Sequence, residues 1–381
     1  RGGGTKSGIW LFVQHRRLKI SPTQPASMRN LATGFPDRRF VQAHAVVCST
    51  PASCLYTAGW IMPMRVRGFF GVDASQKSLM IAEHGRSATQ EIGNSARAIS
   101  AWLKALEGPC AIAVESTGRH HRLLATLAIA AGHAVYVVNP RDIKHYGKAL
   151  GRRAKTDRVD ALLIARYLAQ EHDSLRAWVL PSKTQELLSS ALARRGVLVG
   201  AREQIRASCE AHEAQLTQLG ATLEQLARLI EEVDEQLEQL SAADPVIEAI
   251  KRRLLGIPGI GPVVSTALAN LLSRYQFRNA DALIAYVGLD PRANDSGQHR
   301  GRRKLSKRGP AELRRLVFNA AMSGARTAAW RGYYRCYRER GLSGTASFVI
   351  LGRKMLRAVF SMVRHNTEFD PIRVQGACAK P

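Results

Sequence analysis

Acidic side chains are scarce in this chain of 381 residues: 30 Asp and Glu stand against 56 Lys and Arg, a formal net charge of +26. An excess of that size goes beyond what solubility needs and implies a polyanionic partner. Long apolar runs are absent as well. Nothing reaches the roughly 18 residues of a membrane span, and the longest candidate, Leu123 to Val138, is broken by Gly132 and His133. The polyanion is therefore read as nucleic acid, with no membrane partner. Paired cysteines are also missing. Cys48, Cys54, Cys110, Cys209, Cys336 and Cys378 show no CxxC and no Cys/His ligand spacing, which argues against a zinc or disulfide framework and for reduced thiols in a cytoplasmic protein. What is present in quantity is apolar residue, 45% of the chain, enough to bury a core in two or three domains.

Residues 1–64 mix Gly, Ser, Pro and Arg without period and are expected to be disordered, or to precede a natural start at Met62 or Met64. Deleting 1–63 is then expected to leave activity intact. From Gly68 the pattern sharpens. Phe69 to Asp73 reads as a buried strand, Ser78 to Glu83 as a second, Gln90 to Leu106 as a helix, and Cys110 to Glu115 as another strand. A helix near His121 to Ala131 and a strand from Ala134 to Val138 follow, closed by Asn139-Pro140. Strands alternating with helices imply an α/β layer fold.

Asp73 and Glu115 each end an apolar strand, where a carboxylate is expensive unless paired or metal-bound. Asp157 and Asp160 stand three residues apart at the head of a helix, which puts both on one face, with Val159, Leu162, Leu163 and Tyr167 expected on the other. Acids in a first turn have a plainer explanation in the helix dipole. Together with the two strand acids they make a site for a hard divalent cation, Mg²⁺ or Mn²⁺, the better reading.

Ser182 with Gln185 forms a helix-capping signature, and Leu216, Leu219, Leu223, Leu226, Ile230, Val233, Leu237 and Leu240 alternate spacings of three and four. This seam reads as a coiled-coil dimerisation arm; the alternative is a helical hairpin within one chain. Beyond Pro245, Leu255 to Pro262 resembles a helix-hairpin-helix turn, in which the backbone at Gly259 and Gly261 would hold a phosphate; the alternative is a glycine turn that packs two helices. The segment from Arg292 to Gly309 is expected to be a basic loop, with Arg292, Arg300, Arg302, Arg303, Lys304, Lys307 and Arg308 as phosphate contacts. Within it Ser296 precedes a glycine among cations and is a candidate nucleophile; Ser306 competes with it.

Taken together, Gly71-Val72-Asp73, Val114 to Gly118, Val138-Asn139-Pro140, Lys155-Thr156-Asp157 with Asp160, Ile257 to Pro262, Tyr286 to Leu289, Ser296-Gly297 and Leu305 to Gly309 with Leu313-Arg314 resemble the Piv-like DEDD transposases of bacterial insertion sequences, the bridge-RNA-guided recombinases. The resemblance runs from about Phe69 to Val363. It implies a RuvC-like, RNase H-like α/β catalytic domain over 65–180, whose tetrad is Asp73, Glu115, Asp157 and Asp160. It further implies a coiled-coil linker over 181–245, a mainly α transposase domain over 246–365 whose serine, Ser296, links covalently to DNA, and a tail over 366–381. The implied partners are donor and target DNA, a structured guide RNA and a second or further copies of the chain, as dimer or tetramer, with a composite site between protomers. Pro310, where the family usually has asparagine, and Gln298-His299, where lysine-serine is common, depart from the pattern and bear on the geometry of the loop.

Two other functions fit the same residues. One is a RuvC-like junction nuclease that uses metal-activated water; the other is a non-catalytic nucleic-acid-binding protein. A covalent protein–DNA adduct separates the first from a transposase, and indifference to losing Asp157 and Asp160 identifies the second.

Overall fold

The computed structural model describes residues 66–116, 118, 120–151, 156–209, 217–292, 295–296, 299–300 and 304–375, with backbone alone at 295, 296, 299, 300, 374 and 375. The extension expected over 1–64 lies outside them. Strands β1 (Phe69–Ala74), β2 (Ser78–Glu83) and β3 (Thr89–Gly93) form an antiparallel meander; α1 (Ala96–Lys104) leads to β4 (Ala111–Glu115), and α2 (Arg122–Ala130) to β5 (Ala134–Val138). The sheet order is β3-β2-β1-β4-β5, with β1, β4 and β5 parallel. Helices α3 (Pro140–Ala149) and α4 (Asp157–Glu171) complete this part.

Two elements differ from expectation. The stretch from Gln90 begins as β3, paired through Glu91 to Met80, and the helix waits for Ser95, whose hydroxyl caps it by accepting from Ala98 N. Pairing along an available sheet edge outweighs local helix preference. α3 is unexpected. Asn139 accepts from Arg141 N at 2.9 Å, and Pro140 occupies the first turn, where its missing N–H goes unneeded.

Alternation assigns each strand residue to a face. Phe70, Val72, Ala74, Ile112 and Val114 pack with Ile99, Trp102, Leu103 and Leu124 of α1 and α2. The opposite parity, Phe69, Ala111 and Ala113, packs with Ile143, Leu163, Ile164 and Leu168 of α3 and α4. Asp73 and Glu115 share that second parity.

The rest is helical: α5 (Lys183–Cys209), α6 (Leu219–Ala242), α7 (Pro245–Leu255), α8 (Pro262–Arg274) and α9 (Ala280–Val287). Then come the short strands β6 (Pro291–Arg292), β7 (Asp295–Ser296), β8 (His299–Arg300) and β9 (Lys304–Leu305), followed by α10 (Ala311–Gly324), α11 (Ala328–Glu339), α12 (Gly344–His365) and α13 (Pro371–Gln375). One apolar core runs from Leu188 to Met362 and encloses Trp330, whose indole N–H donates to Pro258 O at 2.9 Å.

Ser182 and Gln185 cap α5 reciprocally, Ser182 N to Gln185 Oε1 at 2.9 Å and Gln185 N to Ser182 Oγ at 3.2 Å. α5 and α6 lie antiparallel, tied by Arg195 to Asp234 and Arg194 to Gln236. The heptad positions Ile230, Val233 and Leu237 are buried, and the last two join Leu188 and Ala191 of α5 in the core; Leu219, Leu223 and Leu226 are half-buried and Leu216 lies outside the described residues. Within one chain the seam thus closes on α5 as a hairpin. Residues 172–182 link α4 to α5, and this linker is pinned to the helical part: Arg176 lies over Phe277, 4.2 Å from the ring centroid, and Arg274 lies over Trp178 at 5.0 Å while donating to Val179 O at 2.8 Å. No described helix is long and apolar enough to cross a membrane.

Candidate active site

The sheet and α4 bring the four expected carboxylates to one end of the fold. β1 and β4 are parallel neighbours in the register Gly71↔Ala113 and Val72↔Val114, so Asp73 and Glu115 follow side by side on the face that α4 covers. α4 lies directly against β1. A Cβ on Gly71 would fall onto Ala165 N and Ala161 O, so only glycine admits the helix there. His172 at the far end of α4 meets Phe69 at the start of β1, ring centroids 4.9 Å apart, so helix and strand run in opposite directions. The head of α4, with Asp157 and Asp160, therefore reaches the end of β1 that carries Asp73.

One detail corrects the sequence reading of α4. At about 3.6 residues per turn, Asp157 and Asp160 share the side of Ala161, Ile164, Ala165 and Leu168, all buried, while Val159, Leu162 and Tyr167 are only half-buried. The carboxylates thus sit on the sheet-facing side and not opposite the apolar face. Small alanines, which a hydropathy pattern underweights, make the close contact. Thr156 caps the helix, its hydroxyl accepting from Val159 N at 3.3 Å.

As donors, four carboxylates suit a hard cation. Among the described residues no three His, Cys, Asp or Glu side chains are already gathered to hold an ion. Mg²⁺ does not demand such a cage, since it is commonly held by one or two carboxylates, water and substrate phosphate. The donor chemistry fits, with closure left to the phosphate.

Two further residues were missed by sequence reasoning. Asn94 donates through Nδ2 to Ser75 O at 2.8 Å and to His120 O at 3.1 Å, tying the turn after Asp73 to the loop after Glu115. His121 is buried with no hydrogen-bond partner at Nδ1 among the described residues; burial, then Arg122 and His120, push it below the ordinary histidine value and keep it neutral. Asn94 gave no signal beyond standing in a turn, because its partners are backbone carbonyls distant in sequence.

The basic segment approaches the same end. Glu115 pairs with Val138, and the next residue, Asn139, donates to Arg308 O at 3.3 Å, while Arg308 meets Asp142 at 2.8 Å. The segment expected as an open loop contains two small antiparallel ladders, β6 with β9 and β7 with β8, and Ser296 pairs with His299 across the second. The side chains of Ser296 and Arg300, and Arg302 and Arg303 entirely, lie outside the described residues; Arg292, Lys304, Lys307 and Arg308 are exposed, as phosphate contacts must be. Ser306 is buried and its hydroxyl donates to Asp290. Gly259, with φ +96°, uses its freedom to approach Gly324 and Ala320 O of α10, so its close contact is with the protein's own backbone; Gly261 caps α8.

Known proteins are similar to this chain over much of its length. Residues 70–219 match a family model described as Transposase, of the DEDD type of IS110, and residues 251–335 match that of the Transposase IS116/IS110/IS902 family. The pilin gene-inverting protein of Moraxella bovis is 29% identical over 276 residues, covering 68% of this chain and 81% of its own length. A probable family 20 transposase of Pseudomonas aeruginosa is 27% identical over 302 residues, covering 69% and 86%. The transposase for insertion sequence element IS1328 of Yersinia enterocolitica is 28% identical over 249 residues, covering 56% and 70%.

Proposed function

From the premise that this chain belongs to the IS110-type DEDD transposases and is a DNA transposase or recombinase of an insertion sequence, we propose that it exchanges DNA strands through a serine–DNA ester formed at a RuvC-like carboxylate site. The observation that supports the reading is the parallel register of β1 and β4, Val72 beside Val114, which leads into Asp73 and Glu115 on the face where α4 packs over Gly71. Asp73, Glu115, Asp157 and Asp160 would hold a divalent ion, Mg²⁺ or Mn²⁺, which when bound would supply Lewis-acid polarisation of the scissile phosphate.

In the first step Ser296 Oγ loses its proton and bonds to phosphorus while one bridging P–O bond breaks and the sugar oxygen leaves, taking up a proton. In the second a sugar hydroxyl of another strand attacks the serine ester, restoring a phosphodiester and the serine hydroxyl. Bond count is conserved, so no external energy source is required. Exposed Arg292, Lys304, Lys307 and Arg308 hold the flanking phosphates. A structured RNA that pairs with donor and target DNA sets the sequences, and the protein holds backbones by charge.

A catalytic domain over 65–180 is supported by apolar clusters around the sheet that are separate from the one around Trp330, while the proposed arm over 181–245 and transposase domain over 246–365 share that last core through Leu188, Ala191, Val233 and Leu237. For the arm, self-association into a dimer or tetramer finds support in Val197 and Leu229, apolar residues 71% and 44% exposed on the hairpin. The hydrogen bond from Ser306 to Asp290 favours a second reading, with Ser306 as nucleophile and Asp290 as its base.

The experiment is to trap the covalent adduct on supercoiled donor DNA with RNA and Mg²⁺ present. Ser296→Ala is expected to abolish the adduct and strand exchange, and Asp157→Asn with Asp160→Asn to abolish both while DNA binding persists. An adduct retained in Ser296→Ala and lost in Ser306→Ala moves the nucleophile to Ser306. Cleavage with no adduct in the wild-type protein makes it a nuclease.

A further inference from the structure

A cleft of about 380 Å³ opens between α3 and the segment that follows β9. Its lining sets five cations, Arg141, Lys144 and Lys148 from α3 with Arg292 and Arg308 from the facing side, against one carboxylate, Asp142. The α3 cations are spaced three and four apart, so they share one stripe of the helix, while Ile143 and Gly147 of the other side are buried. Like charges at that spacing oppose helix formation, a penalty that an anion in the cleft removes.

The facing wall is rigid. Lys307 adopts φ +52°, a left-handed conformation unusual for a side chain with Cβ, and a Cβ on Gly309 would fall onto Tyr286 O. Ser306 N donates to Asp290 O at 3.0 Å, Lys307 N to Gly288 O at 3.2 Å, and Arg314 Nη1 to Gly309 O at 3.1 Å. Arg308 is thereby aimed at the cleft before any ligand arrives. Its partner there is Asp142, at 2.8 Å, yet Asp142 Oδ1 is buried and takes no hydrogen bond of proper angle, so this is an ion contact without directional bonding.

We propose that the cleft between α3 and the segment around Arg308 binds a backbone phosphate of nucleic acid, gripped from both sides, and that Asp142 occupies the guanidinium of Arg308 until that phosphate displaces it. The site lies beside the carboxylate end of the sheet but is separate from it. It rests on the recombinase reading, which supplies the polyanion. The phosphodiester comes from duplex DNA or from structured RNA, and the two are tested apart.

The full-length protein is titrated, by fluorescence anisotropy over a series of KCl concentrations, into a labelled DNA duplex and separately into a labelled RNA stem-loop. Lys144→Gln with Lys148→Gln, both exposed and so compatible with folding, is expected to lower affinity at low salt and to reduce the slope of log K against log[KCl] by about 1, the share of one phosphate contact. Asp142→Asn is expected to tighten binding by about two- to fivefold, the range open to a partly exposed ion pair. The nucleic acid that responds identifies the source. Unchanged slopes for both overturn the proposal, as does an Asp142→Asn protein of wild-type Tm that binds no tighter. If the wild-type protein binds and exchanges DNA while the α3 variant matches it, the cleft alone is wrong; if the wild-type protein binds neither nucleic acid, the recombinase reading falls with it.

Discussion

Asn94→Ala removes an amide that ties the turn after Asp73 to the loop after Glu115. The two strand acids then lose a shared reference, and misplacement by about 1 Å is enough to slow chemistry about 100-fold. Single-turnover cleavage is expected to fall by about 10–100-fold while DNA affinity stays within about twofold; parallel losses in both would mean that Asn94 only maintains the fold. Tyr286 gives a pH prediction. Burial first, then neighbouring Tyr275, against the opposing pull of Arg274 and Arg176, push its hydroxyl up to about 12. The unfolded value is about 10, so its contribution is intact below pH 10 and is lost as pH rises toward 12, where the unfolded chain ionises and the folded one resists. Urea midpoints are expected to fall over that window by roughly 2–3 kcal/mol of stability, and Tyr286→Phe to flatten the fall. At this scale the two strand acids were legible as candidates, because a carboxylate closing an apolar run has few inexpensive explanations. Asn94 was not, since its partners lie 19 and 26 residues away and are backbone atoms of no particular residue type.

Elements were legible where one periodicity ruled. The apolar strands around Asp73 and Glu115 and the capping pair at Ser182 and Gln185 stand where the pattern put them. β3 was not legible, because Thr89 to Gly93 acquires its conformation from β2, and α3 was passed over although Asn139-Pro140 is a helix start. For α4 the helix itself was plain but its buried side was misassigned, since the contact is made by alanines on a glycine. Gly71→Val tests that contact. No rotation of a side chain can relieve an overlap with Ala165 N and Ala161 O, so α4 must lift from the sheet, and the expected result is a chain that loses its cooperative unfolding transition and its cleavage activity together. A Gly71→Val protein that melts like the wild type would mean that α4 is not seated on β1. The heptad seam predicted the helix α6 and left its partner open, because periodicity identifies an apolar stripe without saying which chain covers it.

For the whole molecule, charge was the plainest message of the sequence, and its consequence is a steep salt dependence. With 26 more cations than anions, affinity for any nucleic acid is expected to fall about 10³–10⁵-fold between about 50 and 200 mM salt if six to ten phosphates are contacted. A nearly flat dependence, read by filter binding, would mean that the charge is spread idly over the surface. The same rise in ionic strength acts differently on the linker between sheet and helical core. There Arg176 lies on the face of Phe277 and Arg274 on that of Trp178, with the Val179 carbonyl accepting a hydrogen bond from Arg274. Flat contacts of this kind hold no counter-ion for dissolved electrolyte to replace. Brine strong enough to strip nucleic acid away is therefore expected to leave this joint closed, so that the molecule comes off its cargo in one piece.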